Sequence, residues 1–101
     1  MELSGCGTAL VTPFGADGGL DEPTLVRMVN WQVESGIDFL VPCGTTGEAS
    51  TLTEAETLRV VETVVETAAG RVPVFAGCTH NATREAVARA KRLAEVPGLT
   101  G

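Results

Sequence analysis

Ile37-Asp38-Phe39-Leu40-Val41-Pro42-Cys43, running into Gly44-Thr45-Thr46-Gly47-Glu48, is the stretch whose reading decides the fold. Ile37 to Cys43 reads as a strand. Its centre, Phe39-Leu40-Val41, is a continuous apolar run rather than an alternation. A strand with one wet face alternates, so a continuous run predicts cover on both faces, as in a parallel sheet. Parallel neighbours need crossovers between them, usually helical. The sequence on both sides supplies segments of that kind.

Upstream, Gly7 to Val11 reads as a strand that ends at Thr12-Pro13-Phe14. Gly15-Ala16-Asp17-Gly18-Gly19 is turn chemistry, rich in residues that tolerate positive φ. A helix is predicted over Glu22 to Ser35, with Asp21 as N-cap, Pro23 in the first turn and Gly36 as the stop. Leu25, Val26, Met28, Val29 and Val33 form its apolar stripe. Trp31, Met28 and Phe39 are expected to pack in the core or between helices. Downstream, Thr53-Glu54-Ala55-Glu56 is a capping box. It opens a helix with Leu58, Val61, Val65 and Ala68 on one face, which stops at Gly70. Val72 to Ala76 is a third strand, with Pro73 near its start, where a missing N–H is tolerated. A third helix is expected from Thr83 to Glu95, with Ala86, Val87, Ala90, Leu93 and Ala94 inward and Pro97-Gly98 at its end. Leu99-Thr100-Gly101 reads as the start of a fourth strand. The fold class is therefore α/β, a (βα)₃ chain with right-handed crossovers.

The whole chain has 101 residues, room for one small domain. Seven basic residues against thirteen acidic ones give a net charge of −6. That argues against nucleic acid or an anionic membrane surface as a partner, since both demand a basic patch. No apolar run reaches the length of a membrane span. The N-terminus, Met1-Glu2-Leu3-Ser4-Gly5, lacks a basic region followed by an apolar stretch, so no leader is expected and Met1 reads as an initiator. Three cysteines make no disulfide framework, which points to the cytoplasm. With no Tyr, one His and Lys91 as its single lysine, the chain cannot hold a complete site built from several of these residues.

In α/β folds the chemistry sits at the carboxyl ends of the strands. Three segments follow strands: Thr12-Pro13-Phe14, Cys43 to Glu48, and Gly77-Cys78-Thr79-His80-Asn81. In the second, Gly44 and Gly47 bracket Thr45 and Thr46. Such a loop can present N–H groups and hydroxyls to a small anion such as a carboxylate. It can equally be a turn whose hydroxyls cap their own backbone. The residues alone leave both open. Cys43, Cys78 and His80, at adjacent strand ends, could ligate zinc, although their spacing matches no compact zinc motif. No metal site is expected from them.

Gly7-Thr8-Ala9-Leu10-Val11-Thr12-Pro13-Phe14, Gly36-Ile37-Asp38, Gly44-Thr45-Thr46-Gly47-Glu48, Leu52-Thr53 with Glu56, Gly70-Arg71-Val72-Pro73-Val74, Ala76-Gly77 and Asn81-Ala82-Thr83 stand in one register. Together they resemble the N-terminal third of the dihydrodipicolinate synthases, within the pyruvate-dependent, Schiff-base-forming aldolases. The resemblance covers nearly the whole chain. It implies a (β/α)₈ TIM barrel, which needs about 250 residues. Residues 1–101 would be the N-terminal part of that single domain: its first three βα units, truncated at the start of strand four.

The resemblance also implies a chemistry. A lysine forms an imine with pyruvate, and the derived enamine attacks an aldehyde, aspartate semialdehyde in this branch. The product leads to diaminopimelate and lysine. Thr45 matches a threonine that links two tyrosines in a proton relay. Thr46 matches the one that binds the pyruvate carboxylate through its hydroxyl and N–H. Gly44 and Gly47 belong to the same substrate-binding loop and shape it, and Glu48 is expected to anchor it by accepting backbone hydrogen bonds. No cofactor is implied, and a homotetramer is expected of the full-length enzyme. The imine lysine and the tyrosines fall beyond position 101, so the fragment itself is expected to be inactive. Lys91 is no substitute, because a Schiff-base lysine needs burial or a cationic neighbour. Thr79 and His80 stand where relatives commonly carry a small residue or glycine. Sialic-acid lyases and keto-deoxy-sugar aldolases often carry Ser at the first threonine position, so the Thr45-Thr46 pair favours the dihydrodipicolinate branch. Those sister activities, and a non-catalytic binding module, are the alternatives.

Overall fold

The computed structural model describes residues 3–101; Met1 and Glu2, where the initiator and the absence of a leader were read, lie outside the described residues. The elements are β1 (Gly7–Ala9), α1 (Glu22–Glu34), β2 (Phe39–Val41), α2 (Glu54–Ala68) and α3 (Thr83–Leu93), with a 3₁₀ turn at Ala49–Thr51. β1 and β2 are parallel, with Gly7 opposite Phe39, Thr8 opposite Leu40 and Ala9 opposite Val41. Both strands are shorter than the sequence predicts. Pairing still runs on by one residue, where the Leu10 N–H donates to the Val41 carbonyl at 3.0 Å.

The third strand, predicted over Val72 to Ala76, contracts to a single parallel bridge between Val74 and Leu40. The Leu40 N–H donates to the Pro73 carbonyl at 3.0 Å, and the Leu40 carbonyl accepts from the Phe75 N–H at 2.9 Å. The next donor on the β2 side would be Pro42, which has no N–H. Only its carbonyl takes part, accepting from the Gly77 N–H at 2.9 Å. One missing proton thus breaks a ladder that otherwise continues. Beyond it, the Thr100 N–H donates to the Val74 carbonyl at 2.9 Å, and the Ala76 N–H donates to the Gly101 carbonyl at 2.8 Å. Order across the sheet therefore follows order along the chain, with no reversal. That is the winding of a barrel and not of a doubly wound open sheet.

Leu10, Leu40 and Val74 share one face of this sheet and are buried with Leu25 and Val29 of α1 and Val60, Val61, Val64 and Ala68 of α2. On the other face Ala9 and Val11 are exposed, and Phe39, Val41 and Phe75 are half-buried. The Phe39 and Phe75 rings meet edge to face, 5.7 Å between centroids. The expectation that β2 is covered on both faces is therefore met on one face only. Successive right-handed crossovers in one direction put every helix on the same side, and the opposite face is the one a closed barrel fills with side chains.

The caps form as read. Asp21 accepts from the Thr24 N–H at 3.1 Å and from its hydroxyl at 2.7 Å. Thr53 and Glu56 close their box with bonds of 2.8 and 3.1 Å. α1 stops at Glu34 with Ser35 as its cap. Trp31, expected inside, is 64% exposed. It lies six residues from Leu25, about 240° around the helix, on the side away from the Leu25–Val29 stripe. In α2 the buried face is Thr57, Val60, Val61, Val64 and Ala68, while Leu58 and Val65 are only half-buried. The predicted stripe is thus rotated by about one residue, and Leu58 and Val65 turn toward the chain after α3. α3 ends at Leu93 rather than Glu95. Of its expected inward residues only Leu93 reaches the core; Ala90 and Ala94 are exposed and Val87 is 48% exposed. A helix after the third strand packs over the groove between that strand and the next. Here residues 99–101 alone supply the far side of that groove.

Candidate active site

The carboxyl ends of the strands gather the three polar segments, and the loop after β2 is the most constrained of them. Cys43 leaves the strand with φ 59°, a left-handed conformation unusual for a residue with a side chain. Its side chain turns into the core, 2% exposed, with the Sγ 3.9 Å from the Thr57 carbonyl. Burial pushes the Cys43 thiol up to about 11, against a weaker opposing pull from the Arg89 guanidinium. Two overlapping turns follow. The Gly47 N–H donates to the Gly44 carbonyl at 3.1 Å, and the Glu48 N–H donates to the Thr45 carbonyl at 3.0 Å. Glu48 then takes φ 57° and leads into the 3₁₀ turn.

These bonds use the N–H groups of Gly47 and Glu48. Among the described residues, the N–H groups and hydroxyls of Thr45 and Thr46 donate to no protein group, and both residues are exposed. The turn is closed by backbone bonds, so the hydroxyls are not spent on capping it. Two N–H donors and two hydroxyls in consecutive residues are what a small carboxylate can accept from. The anchoring expected of the Glu48 side chain is absent among the described residues. Glu48 acts through its carbonyl instead, which accepts from the Thr51 N–H at 2.9 Å and its hydroxyl at 2.8 Å. The side chain is exposed and takes no part in these bonds.

The glycines divide by role. A Cβ on Gly47 would lie 2.9 Å from the Leu10 carbonyl oxygen and 3.2 Å from the Thr12 hydroxyl. A Cβ on Gly44 would meet nothing nearer than Val41 at 4.0 Å. Of the glycines around this loop the tightest approach belongs to Gly77, where a Cβ would sit 2.2 Å from the Cys43 carbonyl oxygen. Gly77 and Thr12 are the residues that sequence reasoning passed over. Their place at the ends of the neighbouring strands is the signal in the sequence of a role in the loop's geometry.

Gly44 and Thr45 form one wall of an open cleft of about 490 Å³, faced by Thr79, His80, Asn81 and Arg89; Thr46 does not line it. The zinc grouping is not assembled. Cys43 is buried against Thr57, the exposed His80 accepts from the Ala82 N–H through Nδ1 at 3.0 Å, and among the described residues no three His, Cys, Asp or Glu side chains come together to hold a metal ion. Lys91 is exposed in the last turn of α3. Among the described residues no helix is long and apolar enough to cross a membrane.

The class these features define is a singly wound α/β chain with a hydroxyl-bearing, donor-rich loop at the carboxyl end of its second strand. Comparison with known proteins narrows the class. Residues 2–101 match the model of the dihydrodipicolinate synthetase family, and the chain belongs to that family. It is 63% identical over 100 residues to a 4-hydroxy-tetrahydrodipicolinate synthase of Acidobacterium capsulatum, which covers 99% of this chain and 33% of the relative. The crystal structure of dihydrodipicolinate synthase from Aquifex aeolicus superposes with a TM-score of 0.89 at 42% identity, over 95% of this chain and 32% of that one. A monomeric dihydrodipicolinate synthase variant superposes with a TM-score of 0.90 at 35% identity, over 95% of this chain and 32% of that one. The chain spans about a third of the length of the curated relatives it matches. Its fold is a segment of the barrel those structures share.

Proposed function

We propose that this chain is the N-terminal third of a 4-hydroxy-tetrahydrodipicolinate synthase, supplying the first three βα units of a (β/α)₈ barrel, with residues 99–101 as the first of its fourth strand. The full-length enzyme condenses pyruvate with aspartate semialdehyde. Thr46 holds the pyruvate carboxylate through its N–H and hydroxyl. Thr45 passes protons through its hydroxyl, which can donate and accept at once. Gly44 and Gly47 complete the loop around the carboxylate. A lysine from the remainder of the protein adds to the keto carbon, and water leaves as the imine forms. Loss of a methyl proton then gives the enamine, whose carbon bonds to the aldehyde carbon. The enzyme works in the cytoplasm as a homotetramer.

The observation that carries this reading is the closed turn whose Thr45 and Thr46 N–H groups and hydroxyls donate to no protein group among the described residues. The test is borohydride reduction in the presence of pyruvate, read by intact mass. The full-length protein carrying this segment should gain one reduced pyruvyl adduct, and residues 1–101 alone should gain none. An adduct on Lys91, or no adduct on the full-length protein, overturns the proposal. Sedimentation of the full-length protein separates a tetramer from the monomeric form that one structural relative displays.

A further inference from the structure

We propose that Thr12 is a positioning residue for carboxylate capture, acting through the Gly47 carbonyl. This rests on the reading of the Thr45–Thr46 loop given above. The Thr12 hydroxyl donates to the Gly47 carbonyl at 2.7 Å, in a buried bond across 35 residues of sequence. Thr12 itself is 5% exposed. All the other hydrogen bonds made by residues 44–48, among those described, are local, with partners no farther along the chain than Thr51. The Thr12 bond is thus the one that ties the loop to another strand.

Its location gives it leverage. Gly47 ends the turn whose first residue, Gly44, receives its N–H, and the two exposed threonines lie between them. Fixing the Gly47 peptide fixes the far side of the turn that aims the Thr45 and Thr46 N–H groups. The loop also contains two residues at positive φ, Cys43 and Glu48, a conformation that needs support from its surroundings. Gly47 is seated against the end of the first strand so closely that a Cβ there would lie 2.9 Å from the Leu10 carbonyl oxygen. Without the hydroxyl, the Gly47 carbonyl loses its partner in a buried setting, and the peptide gains by rotating toward water. That rotation misaims the donors before the chain unfolds. Thr12 touches no substrate in this scheme; it holds in place the turn that does.

The experiment uses the full-length protein. Thr12→Val keeps the shape and removes the donor, Thr12→Ser keeps the donor, and Thr12→Ala loses both methyl and donor. Thr12→Val should raise the KM for pyruvate about 10-fold or more, with the KM for the aldehyde moved less than twofold. Thr12→Ser should stay within about threefold of wild type. If Thr12→Val does not fold, the comparison of Thr12→Ala with Thr12→Ser carries the same distinction. Hydrogen exchange gives an independent readout: the Gly47 and Glu48 amides should exchange faster in the donor-less variant while those in the middle of α2 keep their protection. A folded donor-less variant with an unchanged pyruvate KM overturns the inference, as does loss of protection spread evenly over α2. A wild-type protein that takes no pyruvate overturns the underlying functional reading, and the positioning role falls with it.

Discussion

Gly77→Ala should be the most damaging of the glycine-to-alanine changes around the loop, and Gly44→Ala the least, although Gly44 lies inside the Gly44–Gly47 loop and Gly77 outside it. The added Cβ at Gly77 would lie 2.2 Å from the Cys43 carbonyl oxygen, 2.8 Å from the carbonyl carbon and 3.1 Å from the Gly44 Cα. Comfortable contacts between carbon atoms begin at about 3.5 Å, and all three atoms are backbone, so no side chain can swing aside. Relief means pulling the third strand from the loop, which strains or breaks the 2.9 Å bond from the Gly77 N–H to the Pro42 carbonyl. Overpacking costs about 1–3 kcal/mol and the bond about 1 kcal/mol. Reduced freedom of the unfolded chain returns roughly 0.4–1 kcal/mol. The net loss is about 1–3.5 kcal/mol, a drop in Tm of roughly 2–14 °C for a chain longer than about 150 residues. At Gly44 only the unfolded-state effect remains, so the change is neutral to slightly stabilising. Gly47→Ala, with one contact of 2.9 Å, falls between. Circular dichroism melts of the full-length protein at one scan rate measure all three. A Gly77→Ala melt within about 2 °C of wild type, or a Gly44→Ala loss as large as that at Gly77, would refute the steric argument.

Four further outcomes follow from the geometry. The Cys43 thiol should resist alkylation at pH 8 while exposed Cys6 reacts, and denaturant should unmask it; mass spectrometry of the labelled peptides decides. Because burial raises the folded thiol from 9.0 to about 11, Cys43 favours the folded state fully below pH 9 and loses that contribution between pH 9 and 11. That is roughly 2–3 kcal/mol, visible as a fall in the urea midpoint that a Cys43→Ser variant lacks. Thr53→Ala removes the acceptor for the Glu56 N–H and should cost about 1 kcal/mol, whereas Thr53→Ser should cost little; urea midpoints separate the two. The isolated chain of 101 residues, with half-buried Phe39 and Phe75 on an uncovered sheet face, should associate or melt broadly. Sedimentation at several concentrations tests this, and a sharp, concentration-independent monomeric transition would contradict it.

The parts of the fold legible in the sequence are those governed by local chemistry. Asp21, Thr53 and Glu56 cap helices because a side-chain oxygen three residues from an orphan N–H needs nothing from the rest of the chain. The lengths of the strands and the extent of burial depend on distant partners and are less legible. Pro42 is visible in the sequence, but its consequence for the third strand appears only when its nitrogen, which has no proton to give, faces the Phe75 carbonyl. Val87, Ala90 and Ala94 have helical spacing, yet spacing says which residues share a face and not whether anything covers it. Trp31 is expected in the core or between helices, but its angle from Leu25 already places it on the outer side.

The site shows the same division more sharply. Gly44, Thr45, Thr46 and Gly47 are contiguous, so a motif exposes them. What decides their geometry is not contiguous. Thr12 reaches the loop from the first strand, and Gly77 presses on it from the third. A parallel sheet brings together the carboxyl ends of strands whose sequences lie some thirty residues apart, the length of one βα unit, so the residues that aim a strand-end loop belong to its neighbours' ends. The small size of Gly77 and the hydroxyl of Thr12 each look ordinary in their own segment. Their meaning comes from the loop between them, where an extra methyl would collide with backbone and a missing hydroxyl would leave a carbonyl unpaired. The motif supplies the donors, and the flanking strands determine where those donors point.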